Sequence, residues 1–219
     1  MGRAAAMSSS GDGSSRRTEP RWGADRALVD GWALADAEVV LRLLLPARTV
    51  DDEPLDWRRV MAERDGAELA GVTDWGTLDF NDLTTYPGDG RAPQLVVQHP
   101  AGRFGSGQLA TLAAIPQIGA ARWFRDEQAA GASPQRFGIA APGHVSGDGS
   151  GFASLSAGWT RGGFRGRVWT ADRQIALAAP GWADSVIVSA PRGVADDLLA
   201  GDLEVAVVRR CAPLPITTD

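Results

Sequence analysis

The sequence predicts an α+β domain built mainly on an antiparallel sheet, and three observations carry the prediction. The C-terminal half holds short β-type runs divided by Gly, Pro, Asp and Arg at the close spacing of a meander. The few segments with helical spacing are short and lie mainly in the N-terminal half. With 219 residues, 44% of them apolar and 22% charged, the composition is that of a globular domain with one sizeable core.

Residues 1–21 read as a disordered tail, because Ser, Gly and Arg dominate there and large apolar side chains are almost absent. Residues 22–219 read as one domain, and the Gly/Pro/Asp-rich stretch 81–93 is where it would subdivide. Between Ala24 and Leu34, Leu28 and Trp32 share a helical spacing and suggest a short helix. Ala37–Leu45 (AEVVLRLLL) is a buried strand or a continuation of that helix, ended by Pro46. Asp56 is placed to cap a helix over Trp57–Arg64, where Trp57, Val60 and Met61 share one side and Gly66 stops the run. Gly71–Phe80 and Leu95–Gln98 are short strands, and Gln108–Ile115 forms one or two helical turns.

In the second half, Phe137–Ala141, Phe152–Trp159, Phe164–Trp169, Ile175–Ala179 and Ser185–Ala190 are the predicted strands. Gly162–Gly163 suits a tight hairpin turn, since both residues tolerate positive φ, and Asp172–Arg173 closes the next hairpin. Gly193–Ala200 forms a helix ending at Gly201, and Leu203–Val208 is a last strand.

Residue types exclude whole classes of chemistry. Every one of the 22 basic residues is Arg, so a Lys-dependent phosphate loop, a Schiff-base lysine and an SxxK nucleophile are all absent. Two His and one Cys leave no three-His metal site, zinc ribbon, iron–sulfur cluster or internal disulfide. No cofactor and no metal site is therefore expected. The net charge of −5 argues against general affinity for nucleic acid. That charge is uneven: residues 24–82 hold six Arg against 14 acidic residues, a balance of −8, which fits a solvated face or a surface for a basic partner. No apolar run reaches membrane-spanning length and no secretory h-region follows Arg16 and Arg17, so a soluble, cytoplasmic protein is expected.

Two segments hold the candidate site residues. Pro142–Gly151 (PGHVSGDGSG) gathers His144, Asp148 and Ser150, the types needed for a general base, an orienting carboxylate and a hydroxyl nucleophile. Their spacing matches no known nucleophile motif, and a Gly/Ser-rich loop joining two strands is the preferred explanation. Arg161, Arg165 and Arg167 interleave with Trp159, Phe164 and Trp169 in a stretch without acids, a pattern suited to an anion or protein contact. On a strand, alternation would put Arg165, Arg167 and Trp169 on one outer face. Asp79, Asn81 and Asp82 lack EF-hand spacing and read as turn residues.

The eight Trp serve cores and interface anchors alike, and most are expected in the core. Together these features point to a non-catalytic interaction or accessory protein that binds a protein partner or self-associates. The alternative is a small metal-independent enzyme or small-molecule-binding protein acting through the His144 loop.

Overall fold

The computed structural model describes residues 19–49, 51, 53–58, 102–126, 145–179 and 185–212. Strands β1 (Val39–Leu44), β4 (Arg122–Asp126), β5 (Val145–Gly151), β6 (Gly166–Thr170), β7 (Ala176–Ala179), β8 (Ser185–Ala190) and β9 (Val205–Val207) form one sheet; β2 (Ala47–Arg48) and β3 (Pro54–Leu55) pair separately. Among the described residues the large sheet has seven strands in the order β5-β4-β6-β7-β8-β1-β9, and every pairing in it is antiparallel. The α+β, β-rich prediction holds. Among the described residues no helix is long and apolar enough to cross a membrane.

β1 shows why this sheet needs two covers. All six of its residues are buried, and alternation sends Val39, Leu41 and Leu43 to one face and Val40, Arg42 and Leu44 to the other. The first face carries the main core, to which Trp123, Val168, Leu177, Val186 and Val188 also belong. Over it lie α1 (Ser106–Ala114), α2 (Pro116–Gly119), α3 (Phe152–Ser156) and α4 (Arg192–Ala200), with Leu112, Ile118, Phe152 and Leu198 pointing inward. Gln108 of α1 ties this layer to the sheet by donating from Nε2 to the Leu44 carbonyl at 2.7 Å.

The opposite face is covered by a strap, residues 19–38. It doubles back on itself at the Trp22–Leu34 bridge and contains a 3-10 turn at Val29–Trp32. Val29 and Ala33 pack on Val40 and Ile187, while Leu34 packs with Phe124, Trp169 and Ala176. Gly31 has no room for a side chain: a Cβ there would meet the Asp25 carbonyl.

Several predicted elements agree with these boundaries, among them β1, β8, α1 and α4. The Asp172–Arg173 hairpin forms as expected. Arg173 takes φ +61°, and Asp172 Oδ1 accepts from Thr170 Oγ1 at 2.5 Å and from the Gln174 amide at 3.1 Å.

Four expectations fail. The segment expected as a strand over Phe152–Trp159 begins with helix α3, because Phe152, Leu155, Ser156 and Trp159 recur at i, i+3, i+4 and i+7, a helical period. A Gly162–Gly163 hairpin consequently has no preceding strand to close, and β6 pairs with β4 and β7 instead. The loop expected over Pro142–Gly151 is strand β5 from Val145 onward, at one end of the sheet order among the described residues. The segment expected as helical between Ala24 and Leu34 is helical only as the 3-10 turn. The strands expected at Gly71–Phe80, Leu95–Gln98 and Phe137–Ala141, residues 1–18 of the tail, and residues 59–64 of the Trp57 helix lie outside the described residues; residues 19–21, expected in the tail, belong to the strap, where the Arg21 carbonyl accepts from the Ala35 amide.

Candidate functional site

The proposed arginine–tryptophan constellation does not converge. Trp159 is a core residue, stacked on Phe104 with ring centroids 5.4 Å apart and 4.6 Å from Phe164. Trp169 faces the other way, beneath the strap with Leu34 and Phe124. Arg161 and Arg165 are exposed, one in the turns after α3 and one just ahead of β6. Arg167 and Trp169 do share a face, but that face is covered, so the expected basic outer face is not there.

Arg167 is a structural clamp. Its guanidinium lies 4.4 Å from the Trp22 ring centroid and 5.2 Å from that of Trp32, and Nη2 donates to the Gly31 carbonyl at 2.6 Å. Glu19 stands 4.0 Å away. Burial, and secondarily the nearby Arg26, push its pKa down to about 10, which still leaves it charged at neutral pH. Its hydrogen bond and its two ring contacts hold the strap.

Of the other predicted site residues, His144 lies outside the described residues, as do His99, Asp79, Asn81 and Asp82. Asp148 falls on β5, and Ser150, opposite Trp123 in the register, is exposed at that edge. Among the described residues no group of three His, Cys, Asp or Glu gathers to hold a metal ion. A groove of about 300 Å³ runs between the strap and the β6–β7 hairpin, lined by Glu19, Asp36, Glu38 and Asp172 with Arg21 and Arg173.

The far edge of the sheet is the feature that composition and motif reading missed. β9 pairs with β1 in the register Leu41–Val207, Arg42–Ala206 and Leu43–Val205. The Leu44 amide donates to the Glu204 carbonyl and the Val208 amide to the Val40 carbonyl, so residues 204, 206 and 208 turn their backbone groups toward β1. Val205 and Val207, at the alternate positions, direct theirs to the open side. Among the described residues β9 is the last strand of the sheet and no strand lies beyond it.

Helix α4 stands over this edge. Its sequence RGVADDLLA buries Val194, Ala195 and Leu198 against β1 and β9 and leaves Leu199 outside. Glu38 receives the Arg192 amide at 2.8 Å at the start of this helix. Leu199 (42% exposed) and Val207 (43%) are the exposed large hydrophobic side chains among the described residues, and both line one groove of about 240 Å³. Arg192, Asp196 and Glu38 give it a rim of mixed charge.

The edge is rigidly built from below. Glu204 is 8% exposed, and its carboxylate accepts the amides of Trp57 at 2.9 Å and Arg58 at 2.7 Å, at the start of a helical turn. This distant carboxylate, rather than the expected Asp56, receives those amides. Burial, with Asp56 adding to it, raises the Glu204 pKa, while the two amide donors work against the rise. Leu203 packs into the main core.

Among the described residues, fold and edge together define an α+β sheet protein that ends in an apolar edge strand, β9. No protein-family model, curated protein or solved structure matches the chain.

Proposed function

We propose that this chain is a non-catalytic accessory protein that binds a protein partner through the open β9 edge. One observation carries the reading: the outward-facing backbone of Val205 and Val207 lies beside the exposed side chains of Leu199 and Val207. An extended partner segment added to such an edge gains main-chain hydrogen bonds from the strand and apolar contact from the flanking groove. Soluble proteins usually protect sheet edges with Lys, Pro, an inward-pointing charge or a very short strand, and of these the three-residue β9 has only the last. The absence of Lys and the scarcity of His and Cys agree with a protein whose work is contact rather than catalysis.

The test is native mass spectrometry on the full chain purified gently from its own host, as wild type and as Val207→Lys. A bound mass of several kilodaltons or more on the wild type, lost in the variant, is the expected result. A bare chain in both samples would overturn the reading.

A further inference from the structure

We infer that the β9 edge pairs, antiparallel and about a two-fold axis, with the β9 edge of a second copy of this chain. This rests on the reading of β9 as a partner surface and names its occupant. Register makes the pairing specific. A two-fold axis at Ala206 sets Val205 opposite Val207 of the other copy, and Val207 opposite its Val205. These are the residues whose N–H and C=O groups face outward, so each pair exchanges hydrogen bonds in both directions.

The side chains fit the same axis. Val205 packs against the helix-bearing core, and Val207 shares its side of the strand. Self-pairing therefore brings the two exposed Val207 side chains, and the Leu199 beside each, into one apolar strip under the two α4 helices. Both exposed hydrophobic residues of the described chain are covered by a single interface.

Charge completes the argument. The strand is acidic before its start, at Asp202, and basic after its end, at Arg209 and Arg210, and both Asp202 and Arg209 are exposed. Antiparallel self-pairing brings Asp202 to the Arg209–Arg210 end of the other copy, twice over. A parallel pairing would set like charges together. Isologous two-fold contacts are also the commonest closed assembly, because one self-complementary patch serves both copies. The joined edges leave no unpaired strand on this side.

The experiment is sedimentation equilibrium of the purified full chain from about 1 to 100 µM, a range suited to an interface of modest size. The wild type is expected to reach twice its 23.0 kDa mass as concentration rises. Val207→Lys and Val207→Pro are both expected to weaken association at least about tenfold with unchanged far-UV circular dichroism. Proline is suited to this position because the amide it removes faces away from β1. Asp202→Arg should weaken the dimer, and adding Arg209→Asp should restore it, a rescue that a folding defect would not produce.

A wild type that stays monomeric throughout, or a dimer that both Val207 variants leave intact, overturns the inference. If the purified chain is monomeric while host-purified material keeps a Val207-dependent partner of another mass, self-pairing fails and the edge reading stands. If neither is found, both fail.

Discussion

One face of the sheet is covered by helices and the other by a strap, and the two covers are held by different physics. The helical layer is attached by area: Phe104, Leu112, Ile118, Phe152, Trp159 and Leu198 press on the alternate residues of β1, β4, β6, β7 and β8. Few of its contacts depend on one direction or one atom. The strap buries less apolar surface and relies on aimed contacts. Arg167 holds Gly31, the Leu34 amide donates to Ser189 Oγ at 2.9 Å, and Arg210 donates to the carbonyls of Leu34, Ala35 and Ala37 and pairs with Asp30 at 3.2 Å. Hydrophobic cover degrades gradually as atoms are removed, whereas directional cover is lost when one donor leaves.

The largest effect should come from the helical side. Trp159→Ala removes the ring that touches Phe104, Phe152 and Phe164 together. A loss of about 3–5 kcal/mol is expected in urea unfolding, with the whole domain destabilised as one unit. A variant that lost stability only in one part of the chain would contradict the common core.

On the strap side, Arg167→Ala should cost about 2 kcal/mol, because it strands the Gly31 carbonyl and empties the space between Trp22 and Trp32. The character of the loss matters more than its size. Hydrogen exchange should speed up in residues 22–34 while β1 and β8 keep their protection. Equal acceleration in strap and sheet would mean that the two covers are one cooperative unit. Arg167→Met is the sharper companion: it keeps the volume and removes a buried charge, so it should cost less than Arg167→Ala. Arg210→Ala, at a more exposed clamp, should give the same local pattern for about 1 kcal/mol.

This contrast explains what could be read from the residues alone. β8 and β1 announce themselves by continuous apolar runs, since a strand covered on both sides needs no polar alternation. The helix α4 shows in GVADDLLA before Gly201. The strap does not announce itself, because its partners Arg167, Ser189 and Arg210 lie 136 to 176 residues away in sequence. A short peptide pattern carries no trace of such pairings. The helix α3 had a visible signal in the spacing of Phe152, Leu155, Ser156 and Trp159, but its Phe start resembles a strand. The β9 edge was hidden for another reason. Val205–Val207 looks like any short strand, and only the sheet order shows that β1, rather than β8, lies beside it and that no strand of the described residues lies beyond. Its one sequence trace is the acidic residue before it and the paired Arg after it.

The smallest effect belongs to Glu204, which sits at the base of the β9 edge and belongs to neither cover. Burial raises its pKa in the folded chain. Folding therefore favours the protonated form, a gain that is complete below the unfolded-state pKa and lost as pH climbs through the folded-state value. Glu204→Gln cannot titrate, so the stability of the wild type relative to this variant should decline as pH rises across that window. Urea unfolding at stepped pH measures the slope. The amide keeps one acceptor oxygen for the Trp57 and Arg58 amides, so the variant also loses part of a two-point contact at every pH. The constant offset reports that lost hydrogen bond and the slope reports the buried charge. Parallel profiles would show that Glu204 is better solvated than its position beneath the edge implies, and would mark the base of β9 as looser than either cover of the sheet.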